Sequence, residues 1–273
     1  MTYRELCDAL RAGGVEAPEF EAACLMEDLC RADRTALLVE PDRDYASDAL
    51  ASALHRRLEH EPLQYILGTW QFYRQTYRVS PDCLIPRADT ELLVGLAVEM
   101  LPRGAYFADL CTGSGCIAVS TLAERADTRA LALDLSEGAL ALAQENAVHN
   151  GVADRVEFRR GDLLTLAPQS LGRFDAILSN PPYIRSDVIP GLSDEVRHEP
   201  RMALDGGADG LVFYRALLRQ AGECLNAAGF CLFEIGYDQG EDIRALAVDA
   251  GFRCTVRRDL GGQDRVAVLT RGA

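Results

Sequence analysis

The residues best suited to chemistry follow one apolar stretch of the chain. A run of strand type begins at Phe174 and ends at Asn180, and it is followed by Pro181, Pro182 and Tyr183. Proline has no N–H group and a fixed φ, so the strand must stop here and leave the carbonyl groups of Asn180 and Pro181 unpaired. Together with the Asn180 side-chain carbonyl, they can hold a planar NH2 group and orient its lone pair toward an electrophile. Taken alone, the four residues also fit an ordinary strand exit.

A glycine-containing loop is the second chemical feature. It follows a short buried strand predicted over Tyr106 to Leu110, and it consists of Cys111, Thr112, Gly113, Ser114 and Gly115. The glycines let the backbone turn tightly and approach a ligand, and the N-terminus of the next helix adds unpaired N–H groups. The spacing up to Ala118 also satisfies the dinucleotide fingerprint, so NAD is a competing cofactor.

Carboxylates accompany the neighbouring predicted strands. Asp134 ends the second strand, where its carboxylate can accept hydrogen bonds from both hydroxyls of a ribose. Asp162 follows the third strand and could accept from an adenine amino group while Leu163 packs on the ring. Asp109 adds a carboxylate before the glycines, which suits a cationic ligand better than a pyrophosphate. Because ligands bind at the carboxyl ends of strands in open α/β sheets, we expect these residues to form one site.

The elements that position these residues divide the chain in two. The 273 residues suffice for an α/β domain and a smaller appendage. Apolar residues recur at helical spacing up to about Ile66, and Gly68 is a C-cap signal. An aromatic, alternating run from Trp70 to Val79 predicts a hairpin. We therefore expect a helical domain over residues 1–68, a hairpin linker over 69–83 and a catalytic domain over 84–273.

The segment that opens the catalytic domain leads into an apolar helix ending near Leu101. Asp89 or Thr90 is expected to cap this helix. Arg87 and Glu91 either face the site or form a structural ion pair, and Arg87 is kept as a candidate substrate-binding residue.

The last part of the chain predicts three more strands. The first covers Phe230 to Ile235, and two closing strands lie at residues 254–257 and 266–269. Gly261-Gly262-Gln263 is interpreted as a turn between the closing strands.

Composition excludes several classes of protein. A net charge of −14 argues against a broad contact with a nucleic-acid backbone. The sequence contains no apolar run of about 18 residues, so we expect no transmembrane helix. Its first residues lack the apolar region of a signal peptide. Nine cysteines without C-x-x-C pairs indicate reduced thiols and no metal site. We therefore expect a cytoplasmic monomer that binds neither nucleic acid nor a membrane.

These motifs resemble a known family. Asp109 to Gly115, Asp134, Asp162 and Asn180 to Tyr183 are similar to motifs of the Class I S-adenosylmethionine-dependent methyltransferases that act on planar amino groups. The helical region and Leu84 to Glu91 narrow the resemblance to the HemK/PrmC family, which methylates a glutamine side-chain amide in peptide chain release factors. It extends over essentially the whole chain, including Glu199-Pro200, Phe233 to Gly236 and Asp259 to Arg265. Two departures are Cys111, where many relatives have glycine, and Leu163, where some have an aromatic residue.

The resemblance implies a fold and a set of site residues. The fold is a Class I, Rossmann-like α/β fold with a mostly parallel seven-stranded sheet, an antiparallel last strand and a small N-terminal helical domain. The cofactor is S-adenosyl-L-methionine, and the residues expected to bind it are Asp109, Cys111, Thr112, Gly113, Ser114, Gly115, Asp134, Asp162, Leu163 and Asn180. The residues expected to catalyse transfer and bind substrate are Asn180, Pro181, Pro182 and Tyr183, with Arg87 also binding substrate.

The implied reaction is methylation of the glutamine in the Gly-Gly-Gln sequence of release factors, a step connected with translation termination. The alternatives are a ribosomal-protein glutamine, an adenine-N6 group of a nucleic acid, and a cofactor-binding protein without activity. An NAD dehydrogenase would require an acid–base residue that no motif supplies.

Overall fold

The computed structural model describes residues 1–45 and 47–272, and these form two compact units. The first unit contains Met1–Thr69 together with Ser193–His198, and the second contains Trp70–Leu192 and the chain from Glu199 onward. The predicted helical domain therefore corresponds to a unit that also includes a short segment from much later in the sequence. Among the described residues, none of the helices combines the length and the apolar character that a membrane span requires.

The helices and the strands are numbered separately, each in chain order. The helices are α1 Tyr3–Ala12, α2 Pro18–Cys30, α3 Arg34–Val39, α4 Asp48–Leu58, α5 Leu63–Leu67, α6 Glu91–Met100, α7 Cys116–Glu124, α8 Glu137–His149, α9 Asp194–Arg197, α10 Val212–Cys224 and α11 Gly240–Asp249. The strands are β1 Thr69–Phe72, β2 Gln75–Arg78, β3 Tyr106–Leu110, β4 Arg129–Asp134, β5 Val156–Arg160, β6 Phe174–Ser179, β7 Leu225–Glu234, β8 Phe252–Arg258 and β9 Asp264–Arg271.

The first unit is helical, as predicted, and its helix ends are set by local signals. Thr2 and Glu5 form a capping box at the start of α1, and Gly68 ends α5 in the left-handed region at φ 72°. Arg57 is buried in this unit at 2% exposure. Its Nε donates to Oε2 of Glu21 over 2.6 Å, and its Nη2 donates to Glu195 of α9. This ion pair ties the late segment to the helices.

The seven-stranded sheet of the second unit has the order β5-β4-β3-β6-β7-β9-β8. Neighbouring strands from β5 to β7 are parallel, and β9 is antiparallel to both β7 and β8. The predicted fold class is therefore confirmed. The chain builds outward from β3 through β4 to β5, then returns to place β6 on the other side of β3. This reversal opens a crevice at the carboxyl ends of the strands, where ligands bind in such sheets.

The two faces of this sheet are covered by different helices. Alternate strand residues point to opposite faces, so Phe107, Ala176 and Leu232 pack toward α6 and α7. Ala108, Ile177 and Phe233 instead pack toward α10 and α11. Asp109 and Glu234 share the parity of the first set, so both carboxylates point toward the α6–α7 face.

Some local predictions are confirmed and one is wrong. β1 and β2 form the two-stranded sheet of the predicted hairpin, and Gly261-Gly262-Gln263 is an exposed turn between β8 and β9. Thr90 does stand at the N-cap of α6, but its side chain makes no capping hydrogen bond. Its hydroxyl donates to Glu234 instead, because that buried carboxylate is the stronger acceptor.

Candidate active site

A cavity of about 330 Å3 lies at the carboxyl ends of β3, β4, β5 and β6. All the residues that line it belong to the second unit. Those predicted from sequence are Arg87, Cys111, Thr112, Gly113, Ser114, Asp134, Asp162, Leu163, Asn180 and Pro182. Within the described part of the chain, the predicted site residues that do not line this cavity are Asp109, Gly115, Pro181 and Tyr183.

Asp134 joins two parts of the cavity wall. Its Oδ2 accepts the N–H of Gly113 over 2.8 Å, and its Oδ1 accepts the N–H of Ser136 over 2.9 Å. Burial raises the pKa of this carboxyl group, while the backbone N–H groups of Ser136, Gly113 and Leu135 oppose the shift. Each carboxylate oxygen keeps a further lone pair, so Asp134 can also accept hydrogen bonds from a ligand.

Asp109 lies beneath the glycine loop rather than at the cavity surface. Its Oδ2 accepts from the Thr112 hydroxyl over 2.6 Å and from the Ala118 N–H over 3.1 Å. Its Oδ1 has no partner among the described residues. Complete burial raises the pKa of Asp109 to about 7. The alternation of β3 explains this position, because Asp109 faces α7 and supports the loop from below.

Gly115 also acts through the backbone. It is the N-cap of α7 with φ 80°, and a Cβ there would lie 3.1 Å from Cβ of Ala143 in α8. The turn and the close packing of the two helices therefore require glycine at this position.

Cys111 shows the opposite situation, a non-glycine residue in the left-handed region. Its φ is 64°, a conformation that glycine adopts without strain, and its side chain lines the cavity. Burial raises the pKa of the Cys111 thiol well above its ordinary value, so the thiol remains protonated. The side chain therefore provides a small neutral wall.

The adenine side of the predicted site lies after β5. Leu163 is buried and lines the cavity. Both oxygens of Asp162 are used by the local turn: Oδ1 accepts the Leu164 N–H over 2.9 Å, and Oδ2 accepts the Thr165 hydroxyl over 3.1 Å. Asp162 thus shapes this turn in addition to lining the cavity.

Asn180 belongs to a hydrogen-bonded chain that sequence reasoning missed. Its Nδ2 donates to Oγ1 of Thr90 over 3.2 Å, and the Thr90 hydroxyl donates to Oε2 of Glu234 over 2.6 Å. The Tyr183 hydroxyl lies 3.5 Å from Oε1 of the same carboxylate. Burial raises the pKa of Glu234 to about 7, opposed by Thr90 and Arg265. The available signal was one carboxylate within the apolar run at residues 230–235.

Arg87 lies at the cavity wall and forms an ion pair, but its partner is Glu199 and not Glu91. It lines the cavity, and its Nη2 donates to Oε1 of buried Glu199. The other carboxylate oxygen of Glu199 accepts the N–H of Ile85 over 2.9 Å. Glu91 has a structural role, since it accepts the N–H of Tyr73 over 2.7 Å.

This arrangement favours chemistry by positioning. The described residues contain no group of three or more His, Cys, Asp or Glu side chains that could hold a metal ion. The cavity joins a carboxylate-bearing end at Asp134 to an amide acceptor at Asn180. Such a site can bind a nucleoside-like group and present a second reactant to it.

Comparisons with known proteins agree with both units. The PrmC N-terminal domain family matches residues 2–68, and the methyltransferase small domain family matches residues 89–207. A release factor glutamine methyltransferase from Moorella thermoacetica is 43% identical, over 99% of this chain and 99% of its own length. A release factor glutamine methyltransferase from Geobacter sulfurreducens is 41% identical, over 97% of this chain and 95% of its own length. A solved methyltransferase structure from Pyrococcus furiosus covers 72% of this chain and 89% of its own at 17% identity, with a TM-score of 0.53, and it supports the fold.

Proposed function

The chain belongs to the family of release factor glutamine methyltransferases, and from this premise we propose the reaction that it performs. It transfers a methyl group from S-adenosylmethionine to the side-chain amide nitrogen of the glutamine in the Gly-Gly-Gln sequence of a peptide chain release factor. The observation that carries this proposal is that Asn180 lines the same cavity as Asp134 and the glycine loop. An amide acceptor and a nucleoside-binding carboxylate are thereby available to one pair of reactants.

The residues present fit S-adenosylmethionine. The cavity volume of about 330 Å3 lies within the range of small-molecule sites. Asp134 would accept the ribose hydroxyls, residues 111–115 would lie under the methionine part, and Asp162 and Leu163 would border the adenine. When bound, S-adenosylmethionine supplies a methyl group attached to a positively charged sulfur. The neutral thiol of Cys111 leaves no competing thiolate in this wall.

Asn180 and Pro181 orient the glutamine amide. The lone pair of an amide nitrogen is delocalised into its carbonyl group, so this nitrogen is a poor nucleophile. Oδ1 of Asn180 and the carbonyl of Pro181 each accept one N–H, which directs the lone pair at the methyl carbon. Tyr183 packs on the amide plane, and Pro182 keeps the turn rigid. Transfer would form the nitrogen–carbon bond as the carbon–sulfur bond of the methyl donor broke, and the methylated nitrogen would then lose one proton to water.

The two units have different roles in this proposal. Residues 1–68 contribute to recognition of the release factor, residues 69–83 connect the parts, and residues 84–273 carry the transfer. This division is supported by the cavity, whose lining residues all lie in the second unit. Arg87 is proposed to contact the substrate, because its guanidinium is partly exposed at the cavity wall.

The proposal is tested by locating the transferred methyl group. The full chain is incubated with methyl-labelled S-adenosylmethionine and a purified release factor, and the labelled peptide is identified by mass spectrometry. We expect a single label on the glutamine of Gly-Gly-Gln, and none on a release factor with that glutamine changed to alanine. A parallel incubation uses a cell extract in place of the release factor. Label found there only on ribosomal proteins or nucleic acid would refute the proposal.

A further inference from the structure

Glu234 is a charged side chain behind Asn180 to which the proposed reaction gives no task. It ends β7, is 1% exposed and follows the apolar residues Cys231 to Phe233. A carboxylate buried among apolar neighbours is costly unless it is hydrogen-bonded or paired with a charge. Its two oxygens face Thr90 and Tyr183. Glu234 thus contacts Tyr183 directly and reaches Asn180 through Thr90.

When Glu234 is ionised, only one assignment of donors and acceptors fits the hydrogen bonds that link Glu234, Thr90 and Asn180. An ionised carboxylate has no proton, so the Thr90 hydroxyl must be the donor in the 2.6 Å contact. Oγ1 of Thr90 can then only accept from other groups. The group that it faces is the Asn180 amide, 3.2 Å away, and only the NH2 end of that amide can donate.

The direction of this chain decides which end of the Asn180 amide is free. With Nδ2 held by Thr90, Oδ1 is the end left to accept an N–H from a substrate. A rotation of the amide by half a turn would point Oδ1 at Oγ1 of Thr90, an acceptor at an acceptor, and would turn the NH2 group toward the substrate N–H. We propose that Thr90 and Glu234 are positioning residues that keep the Asn180 carbonyl oxygen turned toward the glutamine amide. This inference rests on the proposed function and assigns a role to two residues behind the acceptor.

The charge on Glu234 makes the arrangement sensitive to pH. The titratable and charged groups that act on this carboxylate from the surrounding elements are Asp89, Cys116, Tyr183, Tyr214 and Arg265. Arg265 favours ionisation, whereas burial and Asp89 oppose it, so that the pKa is about 7. A protonated Glu234 can donate to Thr90, and the Thr90 hydroxyl can then either accept from Nδ2 of Asn180 or donate to its Oδ1, so both orientations of the amide are satisfied. The preference is therefore lost as pH falls through about 7.

Two substitutions of Thr90 separate its hydroxyl from its shape. Thr90→Val keeps the volume and removes the donor, and Thr90→Ser keeps the donor. Thr121→Val is a matched control, because Thr121 is equally buried and its hydroxyl has no partner among the described residues. Single-turnover methylation of a release factor is measured with S-adenosylmethionine saturating. We expect Thr90→Val to slow transfer about tenfold or more, while Thr90→Ser and Thr121→Val stay within about threefold of wild type.

A pH profile tests the role of Glu234 and applies even if Thr90→Val does not fold. The wild-type rate should fall below pH about 7, and this fall should disappear in Glu234→Gln, which cannot ionise. Identical acid limbs in the two proteins would overturn the inference. So would a folded Thr90→Val variant with a rate within about threefold of wild type.

A readout without methylation distinguishes this inference from the proposed function. The side-chain amide signals of Asn180 are assigned by their loss in Asn180→Asp, and their exchange with solvent is followed by NMR. Exchange should be slow in wild type and Thr90→Ser, and several times faster in Thr90→Val. If wild type leaves release factors unmethylated, the proposed function fails while this comparison still decides the positioning role. Equal exchange rates in the three proteins would overturn it.

Discussion

The N–H of Gly113 donates to Oδ2 of Asp134 over 2.8 Å, so the loop that follows β3 is fastened to the end of β4. The same carboxylate accepts the N–H of Ser136 at the start of α8. Asp134 thus holds two walls of the cavity. Its removal should loosen both walls and delete the acceptor that we propose for the ribose hydroxyls.

Asp134→Ala should weaken binding of S-adenosylmethionine by about 1.5–3 kcal/mol, the cost of losing a charge-assisted acceptor. Isothermal titration calorimetry measures this directly. Glu137→Ala is the control, because Glu137 is an exposed carboxylate nearby that pairs with Arg160 on the surface. Its affinity should match wild type. A protein that binds NAD and ignores S-adenosylmethionine would contradict the cofactor assignment.

Asn180→Ala should slow single-turnover methylation by about 10²–10³, as expected for the loss of one preorganised hydrogen-bonding group. The fold should survive, because β6 and both prolines remain. Asn180→Asp keeps an acceptor and should retain more activity than Asn180→Ala. Asn226→Ala, at the start of β7 and bonded to Asp175, controls for loss of an asparagine elsewhere on the sheet. If the methylation rate of Asn180→Ala is within about threefold of wild type, Asn180 only ends the strand and does not orient the substrate.

Glu234→Gln should make the protein more stable at alkaline pH. The pKa of Glu234 is raised from 4.5 to about 7, so its contribution to stability is fully present below pH 4.5 and is lost as pH rises through about 7. At 1.36 kcal/mol for each pKa unit, the ionised group costs on the order of 3 kcal/mol above that pH.

Urea unfolding of both proteins across the pH range checks this expectation. The advantage of the glutamine variant should be small near pH 4.5, increase up to about pH 7 and stay constant above it. Asp109 also has a raised pKa, but it is present in both proteins and cancels in the difference. A constant difference across the whole range would show that Glu234 does not titrate in this way.

Arg57→Ala should destabilise the helical unit by about 3 kcal/mol, because it leaves the carboxylates of Glu21 and Glu195 without their partner. Arg56→Ala is the matched control one residue away. Arg56 is 42% exposed in its side chain and pairs with Glu61, so its loss should cost at most about 1 kcal/mol. Equal losses of unfolding free energy in the two variants, measured by thermal or urea unfolding, would show that burial of Arg57 does not contribute to stability.

Much of the site could be predicted because it depends on local signals and on one rule of topology. Asp134, Asp162 and Asn180 each occur at or directly after the end of a strand, and parallel strands bring such ends to one edge of the sheet. The motif alone predicts Asp109 at the ligand, but strand alternation places Asp109 on the same face as Phe107, toward α7, so it lies beneath the loop and not at the cavity surface.

The contact between Thr90 and Glu234 could not be derived in the same way. These residues are 144 positions apart, and they meet because α6 packs on the face of β7 that Glu234 shares with Leu232. Nothing local to Thr90 distinguishes this role from capping, for which threonine is also well suited. Only the packing of the helix on the sheet decides between the two.

The ion pair of Arg57 also has a consequence for the order of events during synthesis. Glu21 precedes Arg57 and is ready when α4 emerges from the ribosome, but Glu195 follows Arg57 by 138 residues. At synthesis rates of about 5–20 residues per second, this interval lasts roughly 7–28 s. Through that time the buried guanidinium of the nascent helices has one of its two carboxylate partners. The helical unit is thus the first to be synthesised, but its last segment, Ser193–His198, is made only after β6.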